Sequence, residues 1–313
     1  MPAARSPERD IQGLLLLDKP RGLSSNQALQ QVKRLFQAAK AGHTGSLDPL
    51  ATGMLPICLG AATKVCGYLL DAHKTYTVTA ELGVATTTGD AEGKVIDQSA
   101  GAQPTQPAVA AALARFCGEL EQIPPMHSAI KRDGVPLYRL ARRGIEVERK
   151  PRRITVYALD LVSYVWPRLT LRLVCSKGTY VRTLVTDLAA ALQTVGHVRE
   201  LRRLSVDPYT EDEQQTFEVL ERRLREGGLE ALDRELKPVD SALPGWPQIT
   251  LDDERAERLL HGQSVAADAD WAGGQNRVYR RSLQFLALAD VTSDRQLVPR
   301  RVFARLEQPA KSG

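Results

Sequence analysis

Apolar residues fall in short runs whose period changes along the chain. Leu14–Leu17 is an uninterrupted run of leucines, closed by Asp18-Lys19-Pro20 and a turn at Gly22, and it predicts a short buried strand. Past it, Ser24 or Ser25 is placed to cap a helix whose apolar positions Leu29, Val32, Leu35, Phe36 and Ala39 recur at helical spacing. Thr75–Leu82 switches to strict alternation. Tyr76, Val78, Ala80 and Leu82 take one side and Thr75, Thr77, Thr79 and Glu81 the other, which predicts a half-buried strand. Pro107–Cys117 predicts a helix stopped by Gly118. Leu169–Cys175 predicts another strand, and Val181, Leu184, Val185, Leu188 and Leu192 line a helix just after it. Strands and helices alternate irregularly, so the expected fold is a mixed-sheet α/β (α+β) domain.

A second unit is expected after Pro238. Ser241–Pro247 is a proline-rich connector, followed by one short helix capped by Thr250 and ended by Gly262, then apolar runs at Phe285–Ala289 and Val302–Leu306. The resulting division is a disordered extension over 1–10, a main domain over 11–240 and a small β-rich module over 247–313.

Composition removes several classes of function. No apolar run approaches the roughly 20 residues that span a bilayer, and Met1–Asp10 has no apolar core of a secretory signal. Cys58, Cys66, Cys117 and Cys175 show no CxxC pairing, and His43, His73, His127, His197 and His261 form no HxxxH, so neither a zinc site nor a catalytic metal is expected. Buried thiols in a reducing cytoplasm are the simpler reading. Without GxxxxGK[ST] or GxGxxG, nucleotide hydrolysis and dinucleotide redox chemistry have no support, and no cofactor is expected.

The most informative stretch is Gly42-His-Thr-Gly-Ser-Leu-Asp-Pro-Leu-Ala-Thr-Gly53, which gathers glycines and small hydroxyl residues around one carboxylate, Asp48. Such composition builds a tight loop with a side chain held by backbone donors, although an ordinary Asx-turn before Pro49 has the same pattern. The block resembles the catalytic loop of the TruB family of tRNA pseudouridine synthases. Further segments agree in order: Gly13–Pro20, Lys74-Thr-Tyr76 with Gly83–Val95, Pro124–Lys131, Gly144–Pro151, Cys175–Thr183 and Leu201-Arg-Arg203. The similarity covers roughly residues 11 to 240, and the last 65 or so residues look like the family's small PUA-type RNA-binding module, with weaker motifs.

The resemblance implies a pseudouridine synthase fold, with a mixed, mainly antiparallel sheet flanked by helices and a PUA-like tail. It implies isomerisation of uridine 55 in the T-loop of tRNA, with Asp48 as nucleophile and Arg182 as its cationic partner. Tyr76 and Tyr180 correspond to the aromatic pocket residues, with a possible general-base role for Tyr76. His43 matches a residue that takes the place of the flipped base, Leu201 a wall of the uracil pocket, and Lys19 and Pro20 supports of the loop. No step requires a redox partner or metal, in keeping with the missing cofactor motifs. The T-arm of tRNA is the implied partner, with neither guide RNA nor membrane, for a monomer in the cytoplasm. A non-catalytic tRNA-binding protein or folding chaperone on the same fold is the competing reading.

The overall charge of +5 resolves into two basic stretches. Lys131–Arg153 holds nine Lys/Arg against three Asp/Glu, and Arg277–Arg305 seven arginines against two aspartates; both suit phosphate contact. Three positions depart from the family pattern. His127 stands where an aromatic residue is common, Ala189 where glycine is usual, and Gln193–His197 is poor in glycine. These put the local backbone and one RNA-loop contact in question.

Overall fold

The leucine run forms β1 (Gly13–Lys19), and both of its faces are covered: Leu15 and Leu17 enter one apolar cluster, Leu14 and Leu16 another. A strand buried on both sides reads as a continuous apolar run, not an alternating one. The computed structural model describes residues 8–99 and 103–304. Most of the 1–10 extension therefore lies outside the described residues. Arg9 is described: its backbone bonds to Gln37 and Ala39, and its side chain pairs with Asp233.

After β1 come α1 (Ser25–Leu35), β2 (Ala41–His43), β3 (Thr52–Leu59), the short α2 (Cys66–Asp71) and β4 (Lys74–Leu82). A hairpin, β5 (Val84–Thr86) and β6 (Val95–Gln98), leads to α3 (Gln106–Arg115) and β7 (Gly118–Gln122). The basic segment carries a small hairpin, β8 (Lys131–Arg132) with β9 (Val135–Pro136), and one turn of helix, α4 (Leu137–Ala141). Then follow β10 (Arg152–Val165), β11 (Arg168–Cys175), α5 (Val181–Ala191), β12 (Gly196–Val206) and α6 (Phe217–Asp233), the last kinked at Gly227 and Gly228.

The main sheet runs β1-β3-β12-β4-β11-β10-β7, with β2 added on β3. Its pairings are antiparallel except β3 with β12. The sequence reading of a mixed, mainly antiparallel sheet flanked by helices agrees with this. β4, at the centre, buries Tyr76, Val78, Ala80 and Leu82 and leaves Thr77, Thr79 and Glu81 half-buried, as its alternation required, while Thr75, expected on the polar side, is buried too. Ser24 is the cap of α1, completing a capping box with Gln27, whereas Ser25 turns away to another task described below.

A second sheet, of five strands, contains β13 (Gln248–Leu251), β14 (Val265–Ala266), β15 (Gly274–Arg280), β16 (Phe285–Val291) and β17 (Gln296–Val302), in the order β13-β15-β16-β17-β14. Two expectations are corrected here. Thr250 belongs to β13, and the helix, α7 (Asp253–Leu260), is capped by Asp252, whose carboxylate accepts from the Arg255 N–H at 2.9 Å. An ionised Asx side chain is the stronger cap, and Ile249 and Leu251 are needed as core residues of the strand. The last strand occupies 296–302 and not 302–306. Its buried Leu297 was hidden by Pro299, Arg300 and Arg301, and part of the expected run lies outside the described residues.

The small sheet packs against the back of the large one, where Leu288 and Phe303 join Leu14, Leu16 and Met54 in one cluster. The Tyr279 hydroxyl donates to Asp240 at 2.6 Å across this boundary. Among the described residues no helix is long and apolar enough to cross a membrane.

Candidate active site

The site is built where the centre of the sheet meets the β2–β3 loop. That loop, residues 44–51, is braced by Ser25: its Oγ accepts from the Leu47 N–H at 2.7 Å and donates to the Leu47 carbonyl at 3.0 Å. The Gly22 N–H donates to the Pro49 carbonyl at 2.8 Å, and the Ala51 N–H to that of Asp48 at 3.0 Å. The bond to Asp48 is a backbone turn across Pro49 and Leu50; the Asp48 carboxylate itself is turned to Arg182 instead of to its own backbone.

Arg182 lies in the first turn of α5 and is 6% exposed. A cation there opposes the helix dipole, and Tyr180, the cap residue, supplies no side-chain hydrogen bond. Carboxylates compensate. Arg182 Nε sits 2.9 Å from Asp48 Oδ2 and 3.7 Å from Asp90 Oδ2. Its Nη1 donates to the Thr88 carbonyl at 2.9 Å and its Nη2 to that of His127 at 2.7 Å. Carbonyls of two separate segments thus hold the fork and fix the orientation of the guanidinium.

Asp90 was not singled out in the sequence. It is buried, accepts from the Thr88 hydroxyl and from the Glu92 N–H at 3.1 Å, and shares Arg182 with Asp48. A carboxylate inside a Thr/Gly turn looks like turn chemistry until the fold brings an arginine from 92 residues further along. Gln122 was likewise not singled out, and Lys74 entered only within a family segment. Gln122 clamps Tyr180 through both its backbone groups, accepting from the N–H at 2.7 Å and donating to the carbonyl at 3.1 Å. Lys74 is buried and caps the end of α2 by donating to the Leu69, Leu70 and Ala72 carbonyls.

Asp48, Tyr76, Arg182, His43, Tyr180 and Leu201 all line one cleft of about 890 Å³. Asp90, Tyr138 and Arg142 share its wall. Lys19 lies behind it, fully buried, donating to the Pro20 carbonyl at 2.9 Å and the Leu23 carbonyl at 2.7 Å; Pro20 enters only through that carbonyl. His43 presents a buried Nδ1 with no hydrogen-bond partner among the described residues.

The electrostatics follow from this enclosure. The Asp48 carboxylate, open to solvent over 41% of its surface on the cleft side and walled by protein elsewhere, is pushed above the ordinary aspartate range. Desolvation is the main cause, with Arg182 pulling down and Asp90 pushing up. Burial brings Lys19 and Lys74 each down to about 8. It raises the Tyr76 and Tyr180 phenols and, together with nearby arginines, lowers His43 and His127. At neutral pH both tyrosines therefore remain phenols and both histidines neutral.

The three departures have local explanations. The contact made by His127 uses its backbone carbonyl, which any residue supplies. Ala189 is fully buried, and a Cβ at Gly196 would stand 2.9 Å from its methyl, so helix and facing strand meet through two small residues. Gln193 takes the left-handed turn after α5 (φ 56°), where glycine is the usual choice.

Comparison with known proteins gives the family. The family model TruB family pseudouridylate synthase (N terminal domain) matches residues 33–181, tRNA pseudouridylate synthase B C-terminal domain matches 182–244, and Pseudouridine synthase II TruB, C-terminal matches 247–303. The tRNA pseudouridine synthase B of Pseudomonas aeruginosa (strain UCBPP-PA14) is 50% identical over 297 residues, 94% of this chain and 96% of that one. That of Burkholderia mallei (strain ATCC 23344) is 50% identical over 307 residues, 96% and 97% of the two chains. Among solved structures, a Cbf5-Nop10-Gar1 complex contains a chain that superposes with a TM-score of 0.71 at 25% identity, covering 94% of this chain and 85% of that one. On these matches, the chain belongs to the TruB family of pseudouridine synthases.

Proposed function

We propose that this chain isomerises uridine 55 in the T-loop of tRNA to pseudouridine, with Asp48 as nucleophile. The observation that carries the reading is the Asp48–Arg182 pair at 2.9 Å, set in a cleft with two tyrosines and joined to family membership. The reaction breaks the N1–C1′ bond, turns the uracil and forms C5–C1′; the C5 proton is released and N1 takes one up. Arg182 keeps the nucleophile ionised against the desolvation of the cleft.

The uridine must leave its stack, which costs a few kcal/mol. The rings of Tyr76 and Tyr180 offset that loss, at roughly 1–3 kcal/mol per base. Burial keeps Tyr76 protonated, which favours a stacking and hydrogen-donating role over that of a general base. Leu201 supplies an apolar wall beside them, and the unpartnered His43 Nδ1 suits a contact with the RNA. Lys19 and Pro20 support the loop from behind.

The basic hairpin segment at the cleft rim fits the T-arm. Arg142 lines the cleft and stacks on Tyr138 at 5.5 Å. Arg149, by contrast, is tied to Glu146 and the Pro124 carbonyl. Replacing Arg142, Arg143 and Arg149 together by Ala is expected to weaken tRNA binding and to flatten its salt dependence by about two phosphate contacts, at roughly 0.7–0.9 each in log–log slope. Filter binding across a salt series measures this, and an unchanged slope would make the segment a merely solvated face. In the PUA-like module much of the basic run is already engaged: Arg280 with Glu257, Arg300 with Asp290, and Arg277 and Arg295 with backbone carbonyls. Its share of RNA binding is accordingly the smaller one.

The reading includes a monomer that acts in the cytoplasm on tRNA alone, without guide RNA. A nucleotide-resolution map of pseudouridine in unmodified tRNA, with and without the purified chain, tests it directly. Pseudouridine at position 55 alone is expected. Bound but unmodified tRNA would instead favour the non-catalytic, chaperone reading.

A further inference from the structure

Arg203 is the largest fully buried side chain among the described residues, yet the site as described gives it no task. It lies on β12, two residues beyond Leu201, directly opposite Tyr76 on β4. Its Nε donates to the Met54 carbonyl at 2.6 Å and its Nη2 to the Gly45 carbonyl at 3.1 Å. Met54 follows the Asp48 loop in β3 and Gly45 opens it, so a single guanidinium joins the chain on the two sides of Asp48.

The backbone is shaped to admit this clamp. Gly53 has φ +96°, and a Cβ there would stand 2.2 Å from the Arg203 carbonyl oxygen. The close parallel approach of β3 and β12, confined to the Arg202–Thr52 and Arg203–Gly53 pairs, depends on that glycine. The Arg203 guanidinium also lines the cleft against the Tyr76 hydroxyl. A buried cation held by neutral carbonyls is costly to desolvate, so a packed apolar residue would serve stability alone at least as well.

We propose that Arg203 is a positioning residue of the reaction, whose guanidinium clamps the chain on both sides of Asp48, at Gly45 and at Met54, and so holds Asp48 where it meets the flipped base. The inference rests on the function proposed above. Neighbouring Arg202 provides a contrast: its side chain pairs with Asp18, at 2.9 Å through both Nη atoms, and with Glu211, instead of with the Gly45 and Met54 carbonyls.

The test compares Arg203→Lys and Arg203→Met with the unaltered protein. Single-turnover release of tritium from C5-labelled tRNA, with enzyme in excess, gives the rate of isomerisation; filter binding gives Kd. A lysine ammonium reaches one carbonyl but not both in the fork geometry, so Arg203→Lys is expected to slow the rate about 100-fold, the usual scale for a small misplacement of reacting groups, with Kd within about threefold. A wild-type rate in Arg203→Lys would overturn the proposal. So would a parallel loss of rate and affinity, which marks general unfolding.

A second readout does not depend on activity. His43, on the strand that enters the loop, is held down by burial and by Arg203. Its NMR titration is expected to move upward in Arg203→Met and to stay in place in Arg203→Lys. An unmoved His43 in the Met variant would put the guanidinium too far from the loop and overturn the proposal. If the unaltered protein releases no tritium, the functional reading fails, while the histidine titration still tests the clamp.

Discussion

Asp48→Asn is expected to lower the single-turnover rate of tritium release from C5-labelled tRNA by about 10⁴-fold or more, the scale seen when a covalent nucleophile is removed. Asparagine keeps the shape of the side chain and its neutral contacts with Arg182, so the cleft should stay open and aligned. Affinity for tRNA should be unchanged or slightly tighter, because one negative charge facing a polyanion has gone. Release at a tenth of the wild-type rate would remove Asp48 from the nucleophile's place.

The same residue sets an acid limit on the unaltered enzyme. The carboxyl is displaced upward in the folded chain, so the rate should fall with decreasing pH at values above the free-aspartate pKa of about 3.9. For stability the sign is opposite to that of a salt-bridged surface aspartate. A raised folded pKa means the native state binds the proton more tightly than the unfolded chain. Its stabilising contribution is complete below the unfolded pKa and disappears as pH rises through the folded one. At neutral pH the ionised Asp48 therefore weighs against folding, and Asp48→Asn is expected to melt no lower than the wild type.

How much of this could be read from residues alone differs by element. The period-two stretch at Thr75–Leu82 and the leucine run of β1 announced their strands, because burial on one face or two leaves a direct trace in hydropathy. Thr250 was misread because a hydroxyl before an acidic helix start resembles a cap, while Asp252, two residues on, caps better. The site divides in the same way. Asp48, Tyr76 and Arg182 were singled out because they fall in motifs, and the fold brings them to one cleft; nothing in their spacing announces that Asp48 and Arg182, 134 residues apart, lie 2.9 Å from each other. Asp90, Gln122 and Arg203 act through backbone carbonyls, N–H groups or a shared arginine, and such contacts leave no residue pattern. Ser25 could be counted as a cap or a brace, and only the loop folding onto α1 decides between them.

The second large effect is expected at Arg182. Arg182→Met would leave Asp48 and Asp90 without the cation they share, in a cleft that already disfavours charge. Without the arginine, desolvation and the nearby Asp90 act on Asp48 unopposed by their main counterweight, so its carboxyl should move further upward. Activity is expected to fall about 10³-fold at pH 7, comparable with the loss of other buried electrostatic partners in active sites. The loss should shrink as pH rises, because hydroxide restores the ionised nucleophile; Asp48→Asn, with no carboxylate to recover, should show no such rescue. Stability should drop as well. Removing one member of a buried ion pair typically costs about 3–5 kcal/mol, since Asp90 and the Thr88 and His127 carbonyls lose their partner. Arg182→Lys separates the two contributions: a point charge can still face Asp48, but it cannot also hold the two carbonyls that orient the fork. It should recover much of the stability and little of the rate. A Met variant whose deficit is the same at every pH would show that Arg182 positions Asp48 without governing its ionisation.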